Sequence, residues 1–308
     1  MARRLRCGVG MTAPRQILPG ACYLMTRRCA RREFLLRPSK LTNAIVGYLL
    51  AVAARRHGIL VHAFCVMSNH LHLVVSDPEA RLPAFGQYLD SLIGRALNAV
   101  LGREEAFWGP GPFSAVTLPS PAAVLDKTAY VLANPATAGL VRRGRKWPGL
   151  WSRPEWIGGA ELEFRRPAPF FRKGGKMPEW ASLALASPPG FGSAREFRAL
   201  LCAELGRREQ AVAAERSGQG KGFLGVERVL AQPTAARPRS AEPMGGLKPT
   251  VAARDKWRRI EVLARLADFV TDYRRALARW RKGVAGVVFP AGTYLLRVTH
   301  GVPCAAVG

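Results

Sequence analysis

Apolar positions between Ile59 and Ser76 fall into two short runs separated by Ser68-Asn69, a pattern that predicts strand, tight turn, strand. Side chains alternate across a strand, so His70 and His72 emerge on one face while Leu71, Leu73 and Val75 emerge on the other. Upstream, Ala21–Arg28 reads as a first strand. Leu41–His57 follows as a helix with Ile45, Leu49 and Val52 at helical spacing and Gly58 as its stop. Downstream, Leu82–Leu101 repeats the helical period through Phe85, Leu89, Leu92, Ile93, Leu97 and Val100, ends at Gly102, and precedes a short strand, Ser114–Leu118. The order strand, helix, strand, strand, helix, strand predicts an α+β domain of ferredoxin-like type. Its antiparallel sheet carries both helices on one face and leaves the other open, with the histidines on the open face.

A third helix starts at Pro121, with Ser120 as N-cap, and is expected to end near Asn134 because Pro135 disfavours helical geometry in the residue before it. Tyr130 and Asn134 share one side of it, with Asp126 and Lys127 a turn earlier. Residues 160–194 are rich in Pro, Gly, Arg and aromatics and read as an irregular linker; Arg195–Arg216 reads as a helix and 232–250 as a flexible loop. Asp255–Lys282 carries an apolar stripe from Trp257 to Trp280 among arginines, read as a core stripe with a solvated basic face. Leu295–Thr299 reads as a last strand. The expected organisation is a basic arm at 1–18, a catalytic domain at 19–159, the linker at 160–194 and a mainly helical extension at 195–308.

Charge changes the picture. Across 308 residues, 47 Lys+Arg stand against 21 Asp+Glu, a net +26, a field that attracts polyanions and nucleic acid first among them. No apolar run approaches membrane-spanning length and no apolar segment follows the basic start, so the expectation is a cytoplasmic, nucleoid-associated bacterial protein with no membrane partner. The six cysteines (Cys7, Cys22, Cys29, Cys65, Cys202, Cys304) show no Cys-x-x-Cys spacing, which suits a reducing compartment and speaks against structural zinc.

Two neutral imidazoles on one rigid strand make half of a divalent-metal site, or else are surface histidines on a half-buried strand. Asn134 can add an amide oxygen, a hard donor suited to Mg²⁺ or Mn²⁺. Such a metal offsets charge developing on a phosphodiester, and Tyr130, favoured as phenolate by Lys127 or nearby arginines, would be the nucleophile. Attack by tyrosine rather than water keeps the bond energy in a covalent link, which is strand transfer. Arg27, Arg28, Lys127, Arg142, Arg143, Arg145 and Lys146 are the candidate DNA contacts. For the run Val141–Trp147, a solvated loop is the equal alternative.

These residues carry a resemblance. Val66-Met67-Ser68-Asn69-His70-Leu71-His72 resembles the hairpin signature of single-tyrosine HUH transposases, commonly read VMPNHVHLLV, and Tyr130–Val141 resembles that family's nucleophile segment, commonly YIxxNPVRAGLV, as in its REP-associated branch. The likeness spans about Pro19–Trp156. It implies His70 and His72 as metal ligands, Asn134 as the third, Tyr130 as nucleophile, and single-stranded or hairpin DNA as substrate, cleaved through a 5′-phosphotyrosine with a free 3′-hydroxyl. It also leaves open whether the Tyr130 helix serves its own histidines or those of a partner in a homodimer. Ser68 stands where the family usually has proline, and Asn134 where the insertion-sequence branch often has glutamine. Two other readings stand beside it: a domesticated DNA-binding protein that no longer cleaves, and an unrelated metal hydrolase using water.

Overall fold

The computed structural model describes residues 14–172, 174–238 and 249–307, which form two units. The larger unit, Pro19–Arg259, is organised on a four-stranded sheet. Strands β1 (Ala21–Arg28), β2 (Leu60–Met67), β3 (His70–Asp77) and β4 (Ser114–Thr117) lie in the order β2-β3-β1-β4, every pair antiparallel. Helices α1 (Lys40–His57) and α2 (Leu82–Leu101) pack against each other. This is the ferredoxin-like α+β arrangement that the alternation of apolar runs predicts.

Local chemistry sets the elements. Ser39 Oγ accepts the Thr42 N–H at 2.9 Å to start α1, and Gly58, at φ 64°, ends it. The Asp77 carboxylate, at the end of β3, accepts the N–H groups of Arg81 and Leu82 at 2.7 Å each and so turns the chain into α2. Between β2 and β3 the register shifts by one residue at His62, a β-bulge. The bulged imidazole is fully buried, with Nε2 2.7 Å from Ser76 Oγ and Nδ1 2.8 Å from the Ala186 carbonyl. Leu71, Leu73, Phe64, Phe85 and Ile93 are buried in the main core, each contributing about 1.5–3 kcal/mol through burial.

The second face of the sheet is not open, contrary to the expectation from the first six elements. Helix α3 (Pro121–Thr137) packs on β2, β3 and β1, and α4 (Ala194–Gly218) packs on α3. Nor does α3 stop at Asn134: it continues through Pro135 to Thr137. Proline costs the helix one N–H donor there, but the break falls in the last turn. The Leu132 carbonyl accepts Trp151 Nε1 at 3.0 Å, and the Pro135 carbonyl accepts the Leu140 N–H at 3.0 Å.

The segment expected as an irregular linker contains a two-stranded sheet, β5 (Leu162–Arg165) with β6 (Trp180–Leu183), which lies on α1. Gly47 of α1 leaves the space that the Phe164 ring fills. These strands are four residues each and sit among glycines and prolines, which hides them from a periodicity reading. The chain also covers both edges of the main sheet. Residues 150–152 pair with β2, through Val66 N to Leu150 O at 2.8 Å and Ser152 N to Phe64 O at 3.0 Å. Residues 250–252 pair with β4, through Thr117 N to Thr250 O at 2.8 Å and Ala252 N to Thr117 O at 3.0 Å. Unpaired edges invite association, and here both are blunted.

Helix α5 (Val226–Ala231) completes the larger unit, and α6 (Lys256–Arg281) runs across the boundary. In the smaller unit, Ala276, Leu277, Val287, Phe289, Leu296 and Val302 form a separate small core. Of the predicted stripe of α6 only Leu277 is buried, Leu266, Val270, Tyr273 and Trp280 are half-buried, Trp257 is 76% exposed and Ile260 and Leu263 are exposed too; the other buried positions are Phe269 and Ala276, off that stripe. The core-stripe reading therefore holds only in part, and only in the second half of the helix. The last strand expected at Leu295–Thr299 is instead a helix, α7 (Leu295–His300). Leu296 alone of it is buried, and Gly301, at φ 63°, terminates it. The basic arm lies outside the described residues up to 13, and the expected loop at 232–250 does so over 239–248. Among the described residues the cysteines are free thiols, and no helix is long and apolar enough to cross a membrane.

Burial pushes His62 down to about 4 from its ordinary 6.5, so the folded chain resists a proton that the unfolded chain accepts first. This contribution to stability is intact above pH 6.5, declines as pH falls, and is lost once pH passes about 4, a difference on the order of 3 kcal/mol. Chemical denaturation of His62→Gln between these limits should show a shallower loss of stability than the parent; an identical slope would contradict the assignment.

Candidate metal and nucleophile site

The β2–β3 turn is built on Ser68 and Asn69, and the loop after β1 holds it. The Leu36 N–H donates to the Ser68 carbonyl at 2.9 Å and the Cys29 N–H to the Asn69 carbonyl at 2.8 Å. The turn launches β3 with His70 and His72 on the face that α3 covers, their rings 4.7 Å apart and nearly perpendicular. Each imidazole has its Nδ1 engaged. His70 Nδ1 lies 2.7 Å from Asn69 Oδ1, and His72 Nδ1 lies 2.8 Å from Thr26 Oγ1. Thr26 stands directly opposite His72 in the β1–β3 register. Both rings thereby direct Nε2 away from their supports, the geometry in which an outer partner orients a metal ligand.

Helix α3 brings the remaining groups. The Tyr130 ring is 5.8 Å from that of His72, and Asn134 Nδ2 is 3.2 Å from His72 Nε2. With Nδ1 of His72 protonated toward Thr26, Nε2 accepts the amide N–H; turning the amide over presents Oδ1 at the same place. Asn134 and His72 are buried, while Tyr130 is 37% exposed and His70 is half-buried, so the site opens to solvent at these two side chains. Burial pushes His72 well below the ordinary histidine range, and His70 and Arg28 add to the shift. The imidazole is therefore neutral at physiological pH, the state a ligand needs. Among the described residues no group of three His, Cys, Asp or Glu side chains converges. With the amide turned over, two imidazoles and one amide oxygen would make a weak, open donor set of the kind that suits Mg²⁺ or Mn²⁺ with other oxygens completing the shell rather than a structural zinc.

The candidate DNA contacts separate. Arg28 is exposed and faces His70 across the β1–β3 pair. Arg27 points to the opposite face, where Nε lies 3.0 Å from Asp90 Oδ2, Nη1 donates to the Gly111 carbonyl at 2.6 Å, and the guanidinium lies over Trp108. Burial pushes the Asp90 carboxyl up to about 7 even beside that guanidinium. Only 12% of the Arg27 side chain is exposed, which ties it to holding β1 on α2. Lys127 sits with Nζ 5.5 Å from the Tyr130 ring centroid and 3.1 Å from Asp126 Oδ2. Arg142, Arg143, Arg145 and Lys146 are exposed around a 3-10 turn at Gly144–Lys146. Trp147 beneath them is buried, its Nε1 bonded to the Val66 carbonyl at 2.8 Å, so its ring is committed to the core rather than to base stacking.

Sequence reasoning missed Thr26 and Asn69, the two residues that orient the imidazoles. Asn69 was legible as the neighbour of His70. Thr26 becomes visible only once β1 is registered against β3. Thr26→Val should weaken Mn²⁺ binding, measured by electron paramagnetic resonance titration, by about 10–100-fold with the fold retained; unchanged affinity would remove Thr26 from the site.

No family model matches the sequence, and no curated protein sequence matches it. Two solved structures are similar to part of it. The structure of a REP-associated tyrosine transposase bound to a REP hairpin is 17% identical, covers 46% of this chain and 81% of its own, and has a TM-score of 0.39. A protein from Deinococcus radiodurans R1 described as a transposase is 17% identical, covers 41% of this chain and 95% of its own, and has a TM-score of 0.28.

Proposed function

We propose that the protein is a metal-dependent single-stranded DNA endonuclease and strand transferase that uses Tyr130 as its nucleophile. The observation that carries this reading is the convergence of Tyr130 and Asn134, from α3, on His72 of β3, within 5.8 Å ring to ring and 3.2 Å amide to imidazole, with the His70 ring 4.7 Å from that of His72. In this reading His70 and His72, through Nε2, and Asn134, through Oδ1, hold Mg²⁺ or Mn²⁺, which supplies charge stabilisation at the phosphoryl oxygens when bound. The hairpin-type substrate follows from the motif resemblance and from the net charge of +26.

The chain's own residues then divide the work. Tyr130 loses its phenolic proton to solvent, and its Oη forms a bond to phosphorus as the bond from phosphorus to the 3′-oxygen breaks. The leaving oxygen takes a proton to become a free 3′-hydroxyl, while the 5′-phosphate stays on the tyrosine. A free phenol has a pKa near ~10, so a positive neighbour is needed to favour the phenolate at neutral pH, and Lys127 is the ammonium nearest the ring. Reversal, with a second 3′-hydroxyl attacking the phosphotyrosine, rejoins strands without an outside energy source. Arg28, beside the imidazoles, is the first candidate to hold the phosphate backbone on entry.

Incubation with labelled hairpin and single-stranded DNA from the flanks of its own gene, with and without Mn²⁺, tests the proposal on denaturing gels. A metal-dependent covalent adduct that disappears in Tyr130→Phe is the expected result. Product without an adduct would favour a hydrolase using water, and tight binding with neither would favour a non-cleaving DNA binder.

A further inference from the structure

The helix that carries Tyr130 is tied down by residues beyond the expected catalytic domain. Asp126, one turn before Tyr130, accepts Arg208 Nη2 of α4 at 2.5 Å and Arg254 Nε at 2.8 Å, both on Oδ1. Glu204 joins these cations, accepting Arg208 Nε at 2.8 Å and Arg254 Nη2 at 3.1 Å on Oε1. The other Asp126 oxygen, Oδ2, is thereby left to Lys127, whose Nζ it holds at 3.1 Å. Lys127 is the group that stands over the Tyr130 ring. Asp126 and Arg208 expose only 11% and 19% of their side chains, so this network is half-buried and less screened than a surface pair. Burial pushes the Asp126 carboxyl up, but Lys127 first and Arg208 after it hold it below its usual range, so it stays ionised.

We propose that Arg208 and Arg254 are positioning residues for the strand-transfer reaction: by engaging Oδ1 of Asp126 they fix its carboxylate so that Oδ2 holds Lys127 over the Tyr130 ring. Two carboxylates, Asp126 and Glu204, face four cations, Lys127, Arg207, Arg208 and Arg254, which leaves the cluster beside the nucleophile positive. Without the guanidiniums, Asp126 is free to rotate and to draw the ammonium away from the ring. The part of the chain from 194 to 254 then does more than cover the sheet, since it sets the electrostatics of the nucleophile from outside the segment that carries the two motifs.

This inference rests on the strand-transferase reading, and one experiment separates the two. Single-turnover adduct formation and hairpin binding are measured side by side for the full-length parent, Arg208→Gln, Arg208→Lys, Lys127→Gln and the double variant Arg208→Gln with Lys127→Gln. The adduct rate should fall about tenfold in Arg208→Gln and in Lys127→Gln, and Arg208→Gln should keep its binding midpoint within about twofold of the parent. Arg208→Lys should recover most of the rate, and the double variant should lose little more than either single one, because Arg208 acts through Lys127. Losses that multiply in the double variant, a rate unchanged in Arg208→Gln, or an equal loss of DNA binding would overturn the inference while leaving Tyr130 in place. If Arg208→Gln does not fold by thermal melting, the exposed Arg254→Gln takes its place with the same expectations. A parent that forms no adduct at all overturns the reading and the inference together.

Discussion

The antiparallel register of β1 against β3 is the constraint on which the rest of the site depends. Thr26 opposite His72 and Arg28 opposite His70 place a hydroxyl and a guanidinium beside the two imidazoles, while Met25 and Arg27 go to the other face. A slip of one residue would exchange the faces, setting Leu71 and Leu73 against α3 and turning both imidazoles into the core with no partner for Nδ1. The apolar set at Leu71, Leu73 and Val75 forbids that slip, since it would lose several kcal/mol of burial. The same side chains that stabilise the sheet therefore aim the histidines.

A second requirement is that α3 approach the sheet closely enough for an amide to reach an imidazole. Ser120 and Pro121 fix where the helix starts, Gly139, at φ 70°, and the Leu140 N–H on the Pro135 carbonyl fix where it ends, and Trp151 holds its last turns by donating to the Leu132 carbonyl. Gly144 fits the narrow space between that carbonyl and the Trp151 ring, where a side chain would collide with backbone. Pro135 at the end of the helix leaves Asn134 in helical geometry, four residues from Tyr130, so that both point toward His72.

How much of this was legible in the sequence depends on how local the information is. The first six elements and the four residues of the candidate site follow from periodicity, caps and two motifs, all read within windows of ten to twenty residues. The helix through Pro135, the β5–β6 pair and α7 were misread because their state is decided by distant partners: Trp151 for α3, α1 for the hairpin, the small core around Phe289 for α7. Arg27 and Arg28 looked equivalent as neighbouring basic residues, yet the pleat sends one to Asp90 and the other to the histidines. The ties from Arg208 and Arg254 to Asp126 leave no trace in any local window.

The covering of both edges of the sheet has a consequence for how the molecule comes into being. β2 gains its outer partner from residues 150–152, but β4 must wait for residues 250–252, and Asp126 for Arg254. These are contacts of long sequence separation, whose closure is slow and comes late. During synthesis the histidine hairpin can pair with β1 long before the opposite edge is sealed or the Tyr130 helix is fixed. Until residues 250–254 have been made, the imidazoles can stand in register with β1 while the Tyr130 helix still lacks its tie to Arg254.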